Sequence, residues 1–328
     1  MKRDGFTLIE FLVAMTIMLL LLLFTTKSFQ RISHNVKSST AASQTRGDNL
    51  SANELLRLDL EHAGTGIATY IDSTATINDI PPVFWDGSSL LIHSTLSNTN
   101  SATMGWATGS CSSGSFSLDI EQRDNDSQNS ILIDKDSIYN EDITTTGCSG
   151  NNIYIVYPYA NGATSCGSSS NQPCTQTEYR LSASQPIDSC AANTRNILRN
   201  DTPLFTCIAD FAIRVDWDKD DDGTVEADET NLDPSKTTDI PAAETGSTLT
   251  VRNKLKTSTV YILAQIGKKD ETYTYGGPSP SLGDGKISFS IDGEAVQFQT
   301  LFTTGDEIEE FKRYQWKVLK ITAFAKGF

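Results

Sequence analysis

The sequence predicts an α+β protein: a long N-terminal helix, its first half apolar enough to span a membrane, packed on a β-rich, loop-rich C-terminal domain. Three observations lead there. Residues Phe6 to Thr26 are almost wholly apolar, Leu56, Leu60 and Ala63 share one helical face, and from Ile67 the chain changes to short apolar or alternating runs between turn residues.

The apolar run comes first. It holds 21 residues with one ionisable side chain, and at about 1.5 Å of rise per residue it spans the roughly 30 Å hydrocarbon layer. The ionisable residue is Glu10. A charge on a bilayer-facing helix costs on the order of 2–4 kcal/mol even on lenient insertion scales, so a retained carboxylate calls for a partner. An amine meets that need. Cleavage after Gly5 would give Phe6 a new α-ammonium in the plane of the membrane, where Glu10 of a neighbouring copy could neutralise it. Residues 1–5, Met1-Lys2-Arg3-Asp4-Gly5, then read as a leader peptide. A secretory signal would close its apolar core with a small-x-small cleavage site, and Phe24-Thr25-Thr26-Lys27-Ser28-Phe29 offers none. A plain anchor fits the length but gives no reason for Gly5, Phe6 and Glu10 together.

Residues 6–26 are thus the transmembrane first half of the helix and 27–66 its second half. Apolar positions are sparse at Phe29, Ile32 and Val36 and dense from Leu50 through Leu60. Gly47 weakens the helix, and Ser51 with Glu54 matches a capping box, which predicts a kink or restart there. Gly64 and Gly66 end it.

The remainder, 67–328, forms the β-rich globular domain. Strands are expected at Pro82–Trp85, Ser89–His93, Ser115–Glu121, Ser130–Ile133, Asn152–Tyr157, Glu178–Leu181, Leu204–Asp216, Thr248–Val251, Thr259–Ile266, Ile287–Ile291, Val296–Leu301 and Tyr314–Phe324. Helical periodicity is scarce in this part. Segments 94–114, 141–151, 160–177 and 228–247, rich in Ser, Thr, Gly, Asn and Asp, read as loops.

Charge sets further bounds. With 41 Asp and Glu against 26 Lys and Arg, the net charge of −15 argues against nucleic acid or anionic lipid as a general partner. The basic residues Lys312, Arg313, Lys317, Lys320 and Lys326 make only the C-terminal end locally positive. Lys2 and Arg3 hold the leader on the cytoplasmic side and leave the bulk of the chain outside. That topology favours disulfides among the six cysteines Cys111, Cys148, Cys166, Cys174, Cys190 and Cys207, none of which forms a C-x-x-C pair. Their connectivity stays open, with Cys166 and Cys174 the closest in sequence.

One segment has metal-ligand spacing. Asp218 to Glu229 fits D-x-D-x-D-G-x5-E over its full length, which offers Ca²⁺ the carboxylates of Asp218, Asp220, Asp222 and Glu229, a carbonyl at Thr224, Glu226 directly or through water, and Gly223 for the sharp turn. The approach, Phe211 to Trp217, reads as a strand, so a structural Ca²⁺ site on a β-scaffold is expected in place of a helix-loop-helix hand. A solvated acidic turn is the competing reading. Catalytic patterns are missing: the chain has no G-x-S-x-G, H-E-x-x-H or G-x-x-x-x-G-K, and its three histidines, His34, His62 and His93, are scattered. It reads as no enzyme.

The segment Gly5-Phe6-Thr7-Leu8-Ile9-Glu10 with its apolar sequel resembles the class III signal of type IV prepilins and type II secretion pseudopilins. The resemblance implies a pilin-like fold, cleavage after Gly5 by a prepilin peptidase, N-methylation of Phe6, and a role for Glu10 in docking subunits into a helical filament. Leu55 to Gly64, Phe205 to Gly223 and the late strand Tyr314 to Phe324 are similar to PilW-like minor pilins, although Glu61 stands at a position where a basic residue is expected and the chain ends Lys326-Gly327-Phe328. Partners implied are the peptidase, other major and minor pilins and the inner-membrane assembly platform. The implied location is the inner membrane of a diderm bacterium, with the domain in the periplasm, and then the extracellular pilus. A GspJ-like secretion pseudopilin shares the same signal, and a Ca²⁺-dependent membrane-anchored adhesin is the alternative of another class.

Overall fold

The computed structural model describes residues 8–64, 82–94, 104–112, 115–123, 130–134, 137–139, 153–158, 175–220, 222–234 and 254–325. A single helix, α1 (Leu8–Glu61), opens the chain. It runs through Gly47 as one helix with no restart there, because one interior glycine costs only about 1 kcal/mol. Ser51 and Glu54 are interior residues and cap nothing; Glu54 instead pairs with Arg57 one turn on. The helix stops where expected. Gly64 takes a left-handed φ of 81°, which suits glycine at a helix end, and its N–H donates to the His93 carbonyl at 2.8 Å.

The strands are β1 (Val83–Trp85), β2 (Ser89–Ser94), β3 (Ala107–Ser112), β4 (Ser115–Glu121), β5 (Ser130–Asp134), β6 (Ser137–Tyr139), β7 (Ile153–Pro158), β8 (Thr175–Leu181), β9 (Arg195–Arg199), β10 (Thr202–Trp217), β11 (Leu255–Ile266), β12 (Lys286–Ile291), β13 (Glu294–Gln299) and β14 (Gln315–Phe324). A short helix, which we number α2, spans Gly305–Phe311 before β14. Seven strands form the main antiparallel sheet in the order β1-β2-β8-β9-β10-β11-β14. The others form a five-stranded sheet, β4-β3-β7-β5-β6, and the hairpin β12-β13.

Alternation along β10 and β11 makes the main sheet two-faced. Phe211, Ile213, Val215 and Trp217, with Val260, Ile262 and Ala264, point to one core, where α1 adds Ala52, Leu56, Leu60 and Ala63. Ala212, Tyr261 and Leu263 point to a second core, closed by β12-β13 and α2 with Phe298, Phe302, Phe311 and Trp316. The predicted face of Leu56, Leu60 and Ala63 therefore packs on a sheet as expected, each residue fully buried.

Several segments differ from their sequence reading. β3 lies inside the expected 94–114 loop: its Ala107 and Cys111 are buried, and it pairs with β4 and β7. Its Gly109 is required there, since a Cβ would lie 2.2 Å from the Phe116 ring. β8 starts at Thr175, inside the expected 160–177 loop, and β6, β9 and α2 carry too little periodicity to be read from sequence. Thr248–Val251 lies outside the described residues.

Candidate functional site

Gly5 and Phe6 lie outside the described residues, and Glu10 falls within α1, its side chain not described. The stretch of α1 around and beyond Glu10 is distinctive. Leu8, Ile9, Phe11, Leu12, Val13, Met15 and every residue from Ile17 to Phe24 are exposed, from 50% at Met15 to 81% at Leu8. So large a contiguous apolar surface marks contact with lipid or with other chains. Among the described residues no helix is long and apolar enough to cross a membrane.

The second site closes β10. Beyond Trp217 the chain turns through the acidic loop and comes back to pair Leu232 with Val215, the amide of each donating to the carbonyl of the other. Asp218 is fully buried. Its carboxylate accepts the amides of Asp222 at 3.2 Å and Gly223 at 2.9 Å, and Lys256 Nζ from the start of β11 lies 3.1 Å from Oδ2. Glu229, also buried, accepts the Lys219 amide at 2.5 Å and the Glu226 amide at 3.1 Å. Asp222 Oδ1 accepts from the Thr224 amide at 2.8 Å, and Gly223 makes the turn with a φ of 91°.

These contacts bring the predicted carboxylates together. One oxygen each from Asp218, Asp220 and Asp222 lie within 4.8 Å of one another, as do those of Asp220, Glu226 and Glu229. Asp220 belongs to both groups, so they form one continuous set of hard oxygen donors that fits Ca²⁺ chemistry. Glu226 and Glu229 also interact. The Thr224 hydroxyl pulls the Glu226 carboxyl down, but the bond shared with Glu229, burial and the charges of Asp222 and Glu229 outweigh it and push it up. Burial raises the Glu229 carboxyl, yet the contact with Glu226 and two backbone amides bring it below its ordinary value. A divalent cation would relieve the crowding of these carboxylates.

The cysteines agree with an oxidising compartment as far as they are described. Cys190 and Cys207 form a disulfide, Cys111 is disulfide-bonded, and none of the described cysteines is free. Cys148, Cys166 and Cys174 lie outside the described residues.

Sequence reasoning missed two features. Asp59 stands among the leucines of α1 and is buried against Arg199 and Tyr179; an acidic residue on a leucine face was the available signal. Lys256 at the loop carried no signal, because it lies 38 positions from Asp218 in sequence.

A family model described as a prokaryotic N-terminal methylation motif matches residues 1–26. No curated protein and no solved structure matches the chain. That motif at the head of a long helix, with a strand-rich domain behind it, supports a type IV pilin-like or pseudopilin protein. The motif implies processing by a prepilin peptidase and pilin partners, and it belongs with structural subunits.

Proposed function

We propose that the chain is a PilW-like minor pilin, cleaved after Gly5, N-methylated at Phe6 and built into a type IV pilus through Glu10. The observation that carries this reading is the exposed apolar surface of α1 from Leu8 to Phe24, directly behind the cleavage motif. In water that surface is a liability, whereas in a bilayer and then among the helices of a filament it is buried. The domain stays on the outside of the filament and joins other minor pilins in a priming or tip complex. Its role is structural. Mass spectrometry of the N-terminal peptide in sheared filaments and in washed membranes tests this. N-methylated Phe6 in the filaments supports the minor pilin; the processed form confined to membranes shifts the assignment to a GspJ-like pseudopilin, and an intact leader throughout refutes both.

The loop at 218–229 serves, on this reading, as a structural Ca²⁺ site that stiffens the long connection from β10 to β11 outside the cell. Asp218, Asp220, Asp222, Glu226 and Glu229 supply side-chain oxygens and Thr224 its carbonyl. Isothermal titration with Ca²⁺ is expected to show binding that Asp218→Ala abolishes. Absence of heat in the unaltered protein would remove the site.

A further inference from the structure

The five-stranded sheet is apolar on both faces. On the first face Ala107, Tyr154 and Val156 are fully buried and form a small core. On the second, Thr108 of β3 pairs with Ile120 of β4 on one side and with Ile155 of β7 on the other. The register continues from Ile155 to Ile133 of β5, and from Ile133 to Ile138 of β6. Residues directly opposite one another share a face. Four isoleucines therefore stand in one row across all five strands, a span of about 19 Å at roughly 4.8 Å per strand. Ile120 and Ile155 are 49% and 40% exposed. Trp106, two residues before Thr108, is 42% exposed, and its carbonyl accepts the Gln122 amide in continuation of the β3–β4 ladder. Among the described residues none of these three side chains belongs to a core.

The strand sequences suit cover on this face too. An antiparallel sheet with one wet face alternates apolar and polar residues, whereas strands covered on both faces read as continuous apolar runs. β7 contains Ile153-Tyr154-Ile155-Val156-Tyr157, and β5 contains Ile131-Leu132-Ile133, with no polar alternation in either. Charge narrows what the cover is. Between Ala107 and Pro158 the chain holds eight Asp and Glu against one Arg and one Lys, and that arginine, Arg123, pairs with Glu121. Asp119 is exposed at the irregularity of β4 beside the row, where the Ser110 hydroxyl donates to it at 3.4 Å. A second copy would bring the same acidic surround on a chain of net charge −15, and anionic lipid would be repelled in the same way.

We propose that the face of Thr108, Ile120 and Ile155 is a docking surface for another protein, one that presents an aliphatic stripe flanked by lysine or arginine. The stripe covers the isoleucine row, and the flanking cations meet Asp119 and the other acidic residues of this sheet. Apolar burial supplies the affinity; the charges select the partner and its orientation. This inference depends neither on the chain being a pilus subunit nor on Ca²⁺ at the acidic loop.

Photo-cross-linking tests it. A genetically encoded p-benzoylphenylalanine replaces Ile120 in the full chain, and the cells that make the protein are irradiated; the same label at Ser288 on β12, also exposed, is the control. An adduct with a different protein is expected from position 120 and not from 288, and the attached peptide should hold aliphatic residues beside Lys or Arg. Ile155→Lys sets a cation against the partner's cations and should lower the adduct yield about tenfold or more, whereas Ile155→Glu extends the acidic surround and should lower it distinctly less. Equal losses from the two substitutions overturn the proposal. So does cross-linking confined to a second copy, to lipid or to another segment of this chain, and so does the lack of any adduct. Ile155 lies at the surface, so both variants should melt like the unaltered protein. If either does not, Thr108→Lys and Thr108→Glu make the same comparison on the same row.

Discussion

The two faces of the main sheet are covered by different means. One carries α1 on aliphatic residues at four-residue spacing plus a buried charge cluster. The other carries the β12-β13 hairpin and α2 on interlocked aromatics: Phe311 stacks on Trp316 at 4.3 Å, and Phe302 meets both edge-on at 5.1 and 5.7 Å. Rings of such shape interlock by geometry; on the α1 side Leu56 and Leu60 pack between the smaller Ala52 and Ala63, and Asp59 adds a directional contact. The hairpin and α2 are also tied covalently close to their neighbours in the sheet, whereas α1 runs on for some fifty residues before it reaches Asp59. The Asp59–Arg199 pair gives that long element a directional contact with the sheet.

The largest effect is expected on the charged side. Arg199→Met leaves Asp59 buried with Tyr179 as its remaining hydrogen-bond partner among the described residues and should cost about 3–5 kcal/mol of unfolding free energy, read from urea titration of the full chain. Burial opposes the Arg199 charge, but the Asp59 carboxylate and the Tyr179 hydroxyl hold its pKa above the ordinary value; they are the contacts this variant removes. Adding Asp59→Leu should recover much of the loss, since no unpaired charge then remains. A double variant as unstable as the single one would mean that the cluster chiefly stabilises, and that the contrast between the faces is drawn wrongly.

On the other face Phe311→Ala removes a fully buried ring that touches Tyr275, Phe302 and Trp316. Loss of about 3–5 kcal/mol is expected, read from urea titration of the full chain. A loss below about 1 kcal/mol would show that the aromatic face does not rest on this ring.

The same contrast governs what could be read from sequence. Leu56, Leu60 and Ala63 announced their face because helical period and burial coincide there. The acidic loop was legible because its carboxylates all fall between Asp218 and Glu229, and the structure does gather them. The Asp59–Arg199 contact spans 140 positions and leaves no local pattern. β3 was hidden by composition: Ala107-Thr108-Gly109-Ser110-Cys111-Ser112 has the residues of a loop, and only its neighbours β4 and β7 make it a strand. Contacts close in sequence, or repeated at a fixed period, could be inferred; those assembled by topology could not.

A smaller effect separates the faces by pH. Asp210 projects from β10 on the aromatic side and accepts the Gln299 amide at 2.6 Å, which ties β13 to the sheet. Burial pushes its carboxyl from the ordinary 3.8 up to about 6, against the pull of the Gln299 and Phe211 amides and of Arg195. Between those values the folded chain holds a proton that the unfolded chain has released. The associated stability is fully present below about pH 4 and is lost as pH rises through about 6. Its size is on the order of 1–3 kcal/mol, reduced from the full shift because the group keeps some contact with solvent. Urea titrations at pH 4 and pH 7 should show this difference between the unaltered protein and Asp210→Asn, which lacks the titrating group. An identical pH dependence in both proteins would remove Asp210 from the account.

The smallest effect tests whether α2 is held by its own ends or by the rings it carries. Thr304 caps it: the hydroxyl accepts the Glu307 amide, while the Glu307 carboxylate accepts the amides of Thr303 at 2.9 Å and Thr304 at 2.8 Å. Those two backbone bonds, the Thr304 amide first, bring the Glu307 carboxyl down to about 2. Its contribution is therefore present above about pH 4.5 and lost as pH falls through about 2, opposite in sign to that of Asp210. Thr304→Ala should cost about 1 kcal/mol and raise amide exchange at residues 305–308 without disturbing β14. Seven residues are too few to form a helix alone in water, so an unchanged exchange rate would mean that Phe311, locked between Phe302 and Trp316, holds the whole turn by itself. The aromatic face would then owe nothing to polar contacts at this element, and its contrast with the seat of α1, which carries a buried ion pair, would be sharper still.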